Sequence, residues 1–314
     1  MSIPRVLVSS FTFGEIDSSP VDLLKSYPAV YLPNPYKRKL TAEEMKELLP
    51  GVDGLIAGTE PLTGDVLAKA TSLKVISRCG IGIDNIDLNA ARELGIVVRH
   101  TVTGHPEAVA ELILAGILDV LRSVSENDRL VRQGVWRQTF GLLLRGKTIG
   151  LIGLGRIGKV LTTLLQPFGT KLLAFDLQPD HQFAEAHGVT FTSLEDLLTR
   201  SDIVSLHIPY TPQSHFILNK ERLTMMKEGA VLINCARGRL VDEKALYDLL
   251  KGGRLRGAFM DTFENEPYHG PLTELPNVVL TPHMGSATRE SRLQMEIESV
   301  QNLLEEFDKI KARP

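Results

Sequence analysis

The sequence has few cysteines and no long apolar run, and each shortage excludes a class of protein. Two cysteines, Cys79 and Cys235, are too few for a disulfide framework or for a zinc site built from several cysteines. No stretch approaches the roughly 18 consecutive apolar residues of a membrane helix, and the first ten residues are too short and too polar for a signal peptide. The net charge of −3 provides no global basic field for nucleic acid or anionic lipid. We therefore expect a cytoplasmic protein with neither a nucleic-acid nor a membrane partner.

The length and composition predict two folded domains. A chain of 314 residues is longer than one hydrophobic core usually serves, and 43% hydrophobic with 23% charged residues excludes a mostly disordered chain. Short apolar runs alternate with amphipathic stretches, which is typical of α/β proteins whose parallel sheets are covered by helices on both faces. Strands are expected at 5–8, 54–57, 74–77, 96–98, 148–152, 171–175, 203–207, 230–234, 257–260 and 278–281, and helices at 41–49, 88–93, 157–168, 243–250 and 293–310.

The alternation is interrupted once, between the two series of strands. Residues 106–133 have the apolar spacing of one long helix, so we place a hinge near residues 100–106. His105 in this hinge either faces the ligand or is solvated, as a loop histidine more often is. The helix after Gly285 has no strand left to pair with in its own sheet, and we expect it to return to the first domain. The predicted domains are residues 1–102 with 288–314, and residues 103–287.

One segment has the pattern of a dinucleotide site. A buried strand runs into Gly153-Leu-Gly155-Arg-Ile-Gly158, and a helix follows that includes Arg156 and Ile157. The first glycine allows a tight turn, the second lets the backbone approach a pyrophosphate, and the third lets the helix pack on its strand. The pyrophosphate then faces the N–H groups of the helix N-terminus. The next strand ends at Asp176, 18 residues after Gly158, where a carboxylate binds the ribose 2′-hydroxyl and repels a 2′-phosphate. The motif therefore predicts NAD rather than NADP.

Three later segments place polar groups after strands of the same predicted sheet, where open α/β folds bind ligands. They carry Arg237, the pair Asp261 and Glu266, and His283. A guanidinium can bind a carboxylate through two parallel hydrogen bonds. A histidine can accept or donate a hydroxyl proton while a neighbouring carboxylate fixes the orientation of its ring. These are the groups needed for hydride transfer between nicotinamide and a 2-hydroxy acid. No metal site is predicted.

With these residues in view, the chain resembles the D-2-hydroxyacid dehydrogenase family over its whole length. The matching segments are Arg78-Cys-Gly-Ile-Gly-Ile-Asp-Asn-Ile-Asp, Gly150–Gly158, Leu206-His-Ile-Pro-Tyr-Thr, Asn234-Cys-Ala-Arg-Gly, Asp261–Pro267 and Thr281-Pro-His283. The resemblance implies two Rossmann-like doubly wound domains with the active site in the cleft between them. The first would be a discontinuous, flavodoxin-like substrate-binding domain, and the second would bind NAD. It also implies a homodimer formed through the cofactor domain, at the long helix from Pro106 and the Trp136 segment.

The resemblance also implies roles for individual residues. Arg237 would bind substrate, His283 would be the acid/base, and Glu266 would be its partner. Asp261 would hold the nicotinamide carboxamide. The backbone of Gly80, Ile81 and Gly82, with Arg78 nearby, would receive the substrate. The implied cofactor contacts are Gly153, Gly155, Arg156, Ile157, Gly158, Asp176, His207, Pro209, Thr211, Ala236, Arg237, Asp261, His283 and Gly285.

The identity of the substrate stays open at this point. The Arg78–Asp87 string is similar to short 3-phosphoglycerate dehydrogenases, but these usually carry an arginine where this chain has Gly58. A phosphate would then depend on Arg78 or on Arg137 of a neighbouring subunit. Reduction of glyoxylate, hydroxypyruvate or 2-keto acids in general is the alternative. A different class, NAD(H)-sensing corepressors, shares the resemblance but usually carries extra terminal segments, which we do not expect here.

Overall fold

The computed structural model describes residues 3–104 and 106–312, which alternate strands and helices throughout. The strands are β1 Arg5–Val8, β2 Val30–Pro33, β3 Gly54–Ala57, β4 Val75–Arg78, β5 Val97–His100, β6 Thr148–Ile152, β7 Lys171–Phe175, β8 Val189–Phe191, β9 Ile203–Leu206, β10 Val231–Asn234, β11 Gly257–Met260 and β12 Val278–Leu280. The helices are α1 Ser19–Ser26, α2 Ala42–Leu48, α3 Gly64–Leu67, α4 Leu88–Glu93, α5 Pro106–Arg122, α6 Val124–Arg132, α7 Arg156–Leu165, α8 His181–His187, α9 Leu194–Arg200, α10 Lys220–Met225, α11 Glu243–Lys251 and α12 Arg289–Lys311.

The chain divides into two compact units, each built on a parallel sheet. Unit 1 comprises Met1–His105 with Ser286–Pro314, and unit 2 comprises Pro106–Gly285. The sheet of unit 1 has the order β2-β1-β3-β4-β5, and that of unit 2 has the order β12-β11-β10-β9-β6-β7-β8. The order reverses between β1 and β3 in unit 1 and between β6 and β9 in unit 2. Open parallel sheets bind ligands at such points, outside the carboxyl ends of the strands.

The final helix, α12, completes the core of unit 1. Phe307 is 4% exposed, and a Cβ placed on Gly54 of β3 would lie 2.5 Å from its ring, so helix and strand pack without a side chain between them. The hydroxyl of Ser77 donates to the carbonyl of Ser299 at 2.7 Å. The last helix therefore belongs to the same core as the first five strands.

The helix expected over residues 106–133 is wrong in one respect, because it is two helices. Ser123 has a left-handed backbone with φ of 51° and separates α5 from α6. Asp119 of α5 accepts a hydrogen bond from the backbone N–H of Ser125 at 2.8 Å, which caps the new helix. The two helices also differ in burial, since α5 has a broad buried face and no residue of α6 is buried.

Several short elements were not expected from the sequence. Strands β2 and β8 lie at sheet edges; β2 has no fully buried residue and ends at Pro33, whereas β8 has only three residues. Helices α1, α3, α8, α9 and α10 were also missed, and other bounds differ by a few residues. His105 lies outside the described residues. None of the described helices is long and apolar enough to cross a membrane.

We expect Phe307→Ala to lower the free energy of unfolding of unit 1 by about 3–5 kcal/mol, because it removes a buried ring and leaves a cavity against β3. Denaturant unfolding followed by circular dichroism measures the change. Leu94→Ala is the matched control, since Leu94 is 50% exposed and should change the same free energy by no more than about 0.5 kcal/mol. Equal effects of the two substitutions would show that α12 does not contribute to the core in this way.

Candidate active site

The glycine-rich turn after β6 leaves its backbone open to a ligand. Gly153 has φ of +99°, and no described heavy atom lies within 4 Å of a Cβ built on Gly155. A Cβ on Gly158 would lie 2.6 Å from the carbonyl oxygen of Gly153, so α7 contacts the end of its strand closely. Arg156 and Ile157 form the first turn of α7, whose first N–H groups lack partners within the helix and favour an anion.

Asp176 follows β7 and stands beside this turn. Its Oδ2 accepts a hydrogen bond from the backbone N–H of Leu154 at 2.7 Å, and its Oδ1 accepts one from Gln178 at 2.9 Å. The carboxylate is thus held in a fixed orientation, and the neighbouring Leu177 is 87% exposed and uncharged. This arrangement favours a ribose hydroxyl over a phosphate at the same place.

The residue that follows β9, His207, has a ring without hydrogen-bond partners among the described residues. Both ring nitrogens of His207 are inaccessible to water and have no hydrogen-bond partner. Desolvation lowers the pKa of His207 to about 4, so the ring is neutral at physiological pH. Its backbone lies 3.0 Å from a Cβ built on Gly153. A dinucleotide fits this edge of the sheet as a ligand. The glycine turn is open to it, the carboxylate of Asp176 is held in place beside the turn, and the ring of His207 lacks a hydrogen-bond partner in the described part of the chain.

Further along the same loop, Thr211 caps a short turn by accepting a hydrogen bond from the backbone N–H of Ser214 at 3.2 Å. Pro209, which is exposed, accepts from the hydroxyl of Ser214 at 3.1 Å through its carbonyl. The loop expected on the adenosine side is therefore fixed by its own hydrogen bonds.

The loop after β10 carries Arg237. Its Nη1 donates to the carbonyl of Ala236 at 2.7 Å, and the buried side chain of Asn234 bonds the backbone of both residues. A Cβ on Gly238 would lie 1.8 Å from the carbonyl carbon of Phe263. The Arg237 loop therefore rests directly on the backbone of the loop that follows β11.

Asp261, at the end of β11, is fully buried and binds the loop after β12. Its Oδ1 accepts from the hydroxyl of Thr281 at 2.5 Å and from the backbone N–H of Met284 at 2.8 Å. Its Oδ2 accepts from the backbone N–H of Gly285 at 2.8 Å. Burial raises the pKa of this carboxyl group, and these hydrogen bonds oppose the rise.

His283 and Glu266 form the pair that the sequence predicted. Nδ1 of His283 lies 2.9 Å from Oε2 and 3.1 Å from Oε1 of Glu266, and the imidazole is 39% exposed. His283 has φ of 52°, an uncommon backbone for a residue other than glycine. With Nδ1 bonded to the carboxylate, Nε2 is the nitrogen left to meet a ligand.

A residue that the sequence did not single out binds the loop that carries Glu266. Glu243, at the start of α11, accepts a hydrogen bond from the backbone N–H of Glu264 at 2.6 Å. Burial raises the pKa of Glu243, and the charges of Glu264 and Glu266 raise it further. Its position at the start of a predicted helix resembled an ordinary solvated acid, so the sequence offered no signal for this contact.

The residues expected to receive the substrate lie in unit 1, after β4. Gly80 has φ of +145°, and a Cβ there would lie 2.5 Å from Nη1 of Arg78. Arg78 is 9% exposed and donates to the carbonyl of Cys79. Ile81 is 38% exposed, and Gly82 is half-buried. Among the described residues, no group of three His, Cys, Asp or Glu side chains is arranged to hold a metal ion.

Comparison with known proteins identifies the family. Residues 114–285 match the family described as D-isomer specific 2-hydroxyacid dehydrogenase, NAD binding domain. The chain belongs to the D-isomer specific 2-hydroxyacid dehydrogenase family. This match confirms the family resemblance and the cofactor NAD. It also confirms the class of enzyme, an NAD-dependent dehydrogenase that acts on the CH–OH group of 2-hydroxy acids. The two parallel sheets confirm the α/β fold.

Several relatives of this dehydrogenase carry different names. It is 41% identical over 259 residues to the D-3-phosphoglycerate dehydrogenase of Methanocaldococcus jannaschii, covering 81% of this chain and 49% of that protein. It is 36% identical to the glyoxylate reductase of Aeropyrum pernix, covering 97% and 93% of the two chains. The D-lactate dehydrogenase of Aquifex aeolicus, solved with NAD and lactic acid, is 29% identical with a TM-score of 0.84 over 97% and 95% of the chains. The chain thus spans about half the length of the phosphoglycerate dehydrogenase.

We expect Gly155→Ala to weaken NADH binding at least about tenfold while leaving Tm within about 2 °C, because the added methyl group occupies only the space offered to the cofactor. Gly158→Ala is the matched variant, and its Cβ meets backbone 2.6 Å away, so it should lower Tm by several degrees as well. NADH fluorescence titration and thermal unfolding measure the two effects. Wild-type affinity in Gly155→Ala would contradict this position for the cofactor.

Proposed function

We propose that His283, Glu266 and Arg237 carry out the proton transfer and substrate binding of this dehydrogenase. The observation that carries the proposal is the hydrogen-bonded pair of His283 and Glu266, 2.9 Å apart, on the same sheet edge as Arg237 and the glycine-rich turn. NAD supplies the hydride acceptor in oxidation and the hydride donor in reduction.

In this proposal, the proton moves at Nε2 of His283. During oxidation the neutral imidazole accepts the proton of the substrate's C2 hydroxyl, and during reduction the imidazolium returns a proton to the C2 oxygen. Glu266 fixes the ring through Nδ1 and stabilises the imidazolium. The guanidinium of Arg237 donates to the C2 oxygen and polarises it in both directions. Asp261 positions the His283 loop and, as the resemblance suggests, receives the nicotinamide carboxamide.

We assign substrate binding to unit 1 and cofactor binding to unit 2. The backbone N–H groups of Ile81 and Gly82 receive the substrate's carboxylate, with Arg78 adding positive charge beside them. The N–H of Gly80 donates to the carbonyl of Arg78 at 3.0 Å and holds the turn. Gly80 supports this role because its φ of +145° is accessible to glycine and strained for other residues. The substrate is a small D-2-hydroxy acid or the corresponding 2-keto acid, the class shared by the glyoxylate, lactate and phosphoglycerate enzymes to which the chain is similar.

We expect His283→Ala to lower kcat at least about 100-fold, since it removes the only proposed proton carrier, and to leave the Kd for NADH within about twofold. Steady-state NADH oxidation and fluorescence titration separate the two. His269→Ala is the control because His269 is exposed and has no proposed role. Loss of cofactor binding with the loss of turnover would remove His283 from the proton-transfer role.

We also propose a homodimer formed through unit 2. The segment after α6 exposes large apolar side chains, with Trp136 91% and Phe140 93% exposed beside Leu143. A cavity of about 660 Å³ opens in the same segment, lined by both aromatic rings. Apolar surface of this kind is typical of a protein interface, and a second copy of the chain is its proposed occupant.

A cytoplasmic location is proposed as well, because both cysteines are free and buried.

We expect the double substitution Trp136→Ser with Phe140→Ser to convert a dimer to a monomer, because aromatic anchors dominate interface energies. Light scattering at a fixed protein concentration measures the mass. Leu94→Ser, which alters an exposed apolar residue of unit 1, should leave the dimer intact. A wild-type protein that is monomeric, or a double variant that remains dimeric, would contradict the proposed interface.

A further inference from the structure

A buried acidic residue lies where the strand order of unit 1 reverses. Ser9 and Ser10 follow β1, and Gly58 and Glu60 follow the neighbouring strand β3. This point is the ligand-binding crevice of an open parallel sheet. Glu60 is only 1% exposed, although acidic residues are rarely buried unless they are paired. The position and burial of Glu60 therefore call for a partner.

The protein satisfies only one of the two oxygens of Glu60. Oε1 accepts from the hydroxyl of Ser9 and from the backbone N–H of Gly58, the latter at 3.0 Å. No hydrogen bond reaches Oε2 from the described residues. A Cβ built on Gly58 would lie 2.8 Å from Oε2, so the glycine leaves this oxygen uncovered. An ionised carboxylate oxygen accepts hydrogen bonds and donates none, so Oε2 can accept one from a donor group of a ligand.

The cation that bonds Ser10 on this edge is already engaged. Arg292 of α12 bonds Oε1 of Glu296 at 2.5 Å through Nε and the hydroxyl of Ser10 at 2.6 Å through Nη2. Glu296 is fully buried and also accepts from the backbone N–H of Gly14 at 2.9 Å. Arg292 is thus neutralised by its own carboxylate. On the next strand, Arg78 is turned toward the carbonyl of Cys79.

We propose that Oε2 of Glu60 binds the substituent on the third carbon of the substrate, accepting a hydrogen bond from a hydroxyl group and repelling a phosphate. This inference rests on the proposed function, in which the neighbouring Gly80–Gly82 loop receives the substrate's carboxylate. It assigns the chain to unphosphorylated 2-keto acids that carry a 3-hydroxyl group. Hydrogen bonding to this acceptor and repulsion between like charges both act in this direction.

The test compares kcat/KM for NADH-dependent reduction of hydroxypyruvate, 3-phosphohydroxypyruvate and glyoxylate. Glyoxylate has no third carbon, so its rate normalises any general change in activity. We expect wild-type protein to prefer hydroxypyruvate to its phosphate ester at least about tenfold. Glu60→Gln removes the charge but keeps the shape, and it should reduce that preference about tenfold. Glu47→Gln removes an exposed charge of α2 in the same unit and should leave the preference unchanged.

Each outcome separates the inference from the proposed function. Reduction of all three acids with a preference that Glu60→Gln does not alter would overturn the inference alone, as would a wild-type preference for the phosphate ester. Reduction of none of the three by wild-type protein would overturn the proposed function and the inference with it.

A measurement on the wild-type protein alone covers the case in which Glu60→Gln does not fold. D-glycerate and 3-phospho-D-glycerate are compared as inhibitors of glyoxylate reduction. We expect D-glycerate to inhibit at a concentration at least about tenfold lower. Equal inhibition, or stronger inhibition by the phosphorylated acid, would overturn the inference.

Discussion

The proposed chemistry depends on the buried carboxylate of Asp261. It accepts hydrogen bonds from Thr281, Met284 and Gly285, which lie on both sides of His283 in the sequence. These bonds fix the loop that carries the imidazole. That loop holds His283 at a positive φ, a conformation that persists only where its surroundings determine it. Without the carboxylate, the histidine would lose its alignment with Glu266. A structural acid at the end of one strand thus sets the geometry of a proton carrier after the next.

The three strands β10, β11 and β12 are neighbours in the sheet, and their loops behave as one assembly. Gly238 brings the Arg237 loop onto the backbone at Phe263, and Glu243 ties Glu264 to α11. Phe263 in turn donates its backbone N–H to Glu266 at 3.1 Å. Because parallel strands present their carboxyl ends on one edge, residues distant in sequence become adjacent there. The cofactor turn after β6 lies on the same edge of the same sheet.

The sequence predicted the buried central strands, the glycine turn and the pairing of His283 with Glu266, because each carries a local pattern or a family motif. It did not predict the edge strands β2 and β8, which lack a buried apolar run. Nor did it predict the break at Ser123, since the apolar spacing continues close to that residue and the capping by Asp119 is visible only in three dimensions. Glu60 was overlooked because an isolated acid in Gly58-Thr-Glu60-Pro resembles a solvated turn. Only the fold shows that it lies at the point where the strand order of unit 1 reverses.

The central claim is that this chain transfers hydride directly between nicotinamide and C2 of a D-2-hydroxy acid. Incubation of the wild-type protein with NADH that carries deuterium at both C4 positions of the nicotinamide, and with hydroxypyruvate, tests it most directly, with mass spectrometry and chiral chromatography of the product. The account predicts D-glycerate carrying one deuterium at C2. An L product, or product without the label, would contradict it.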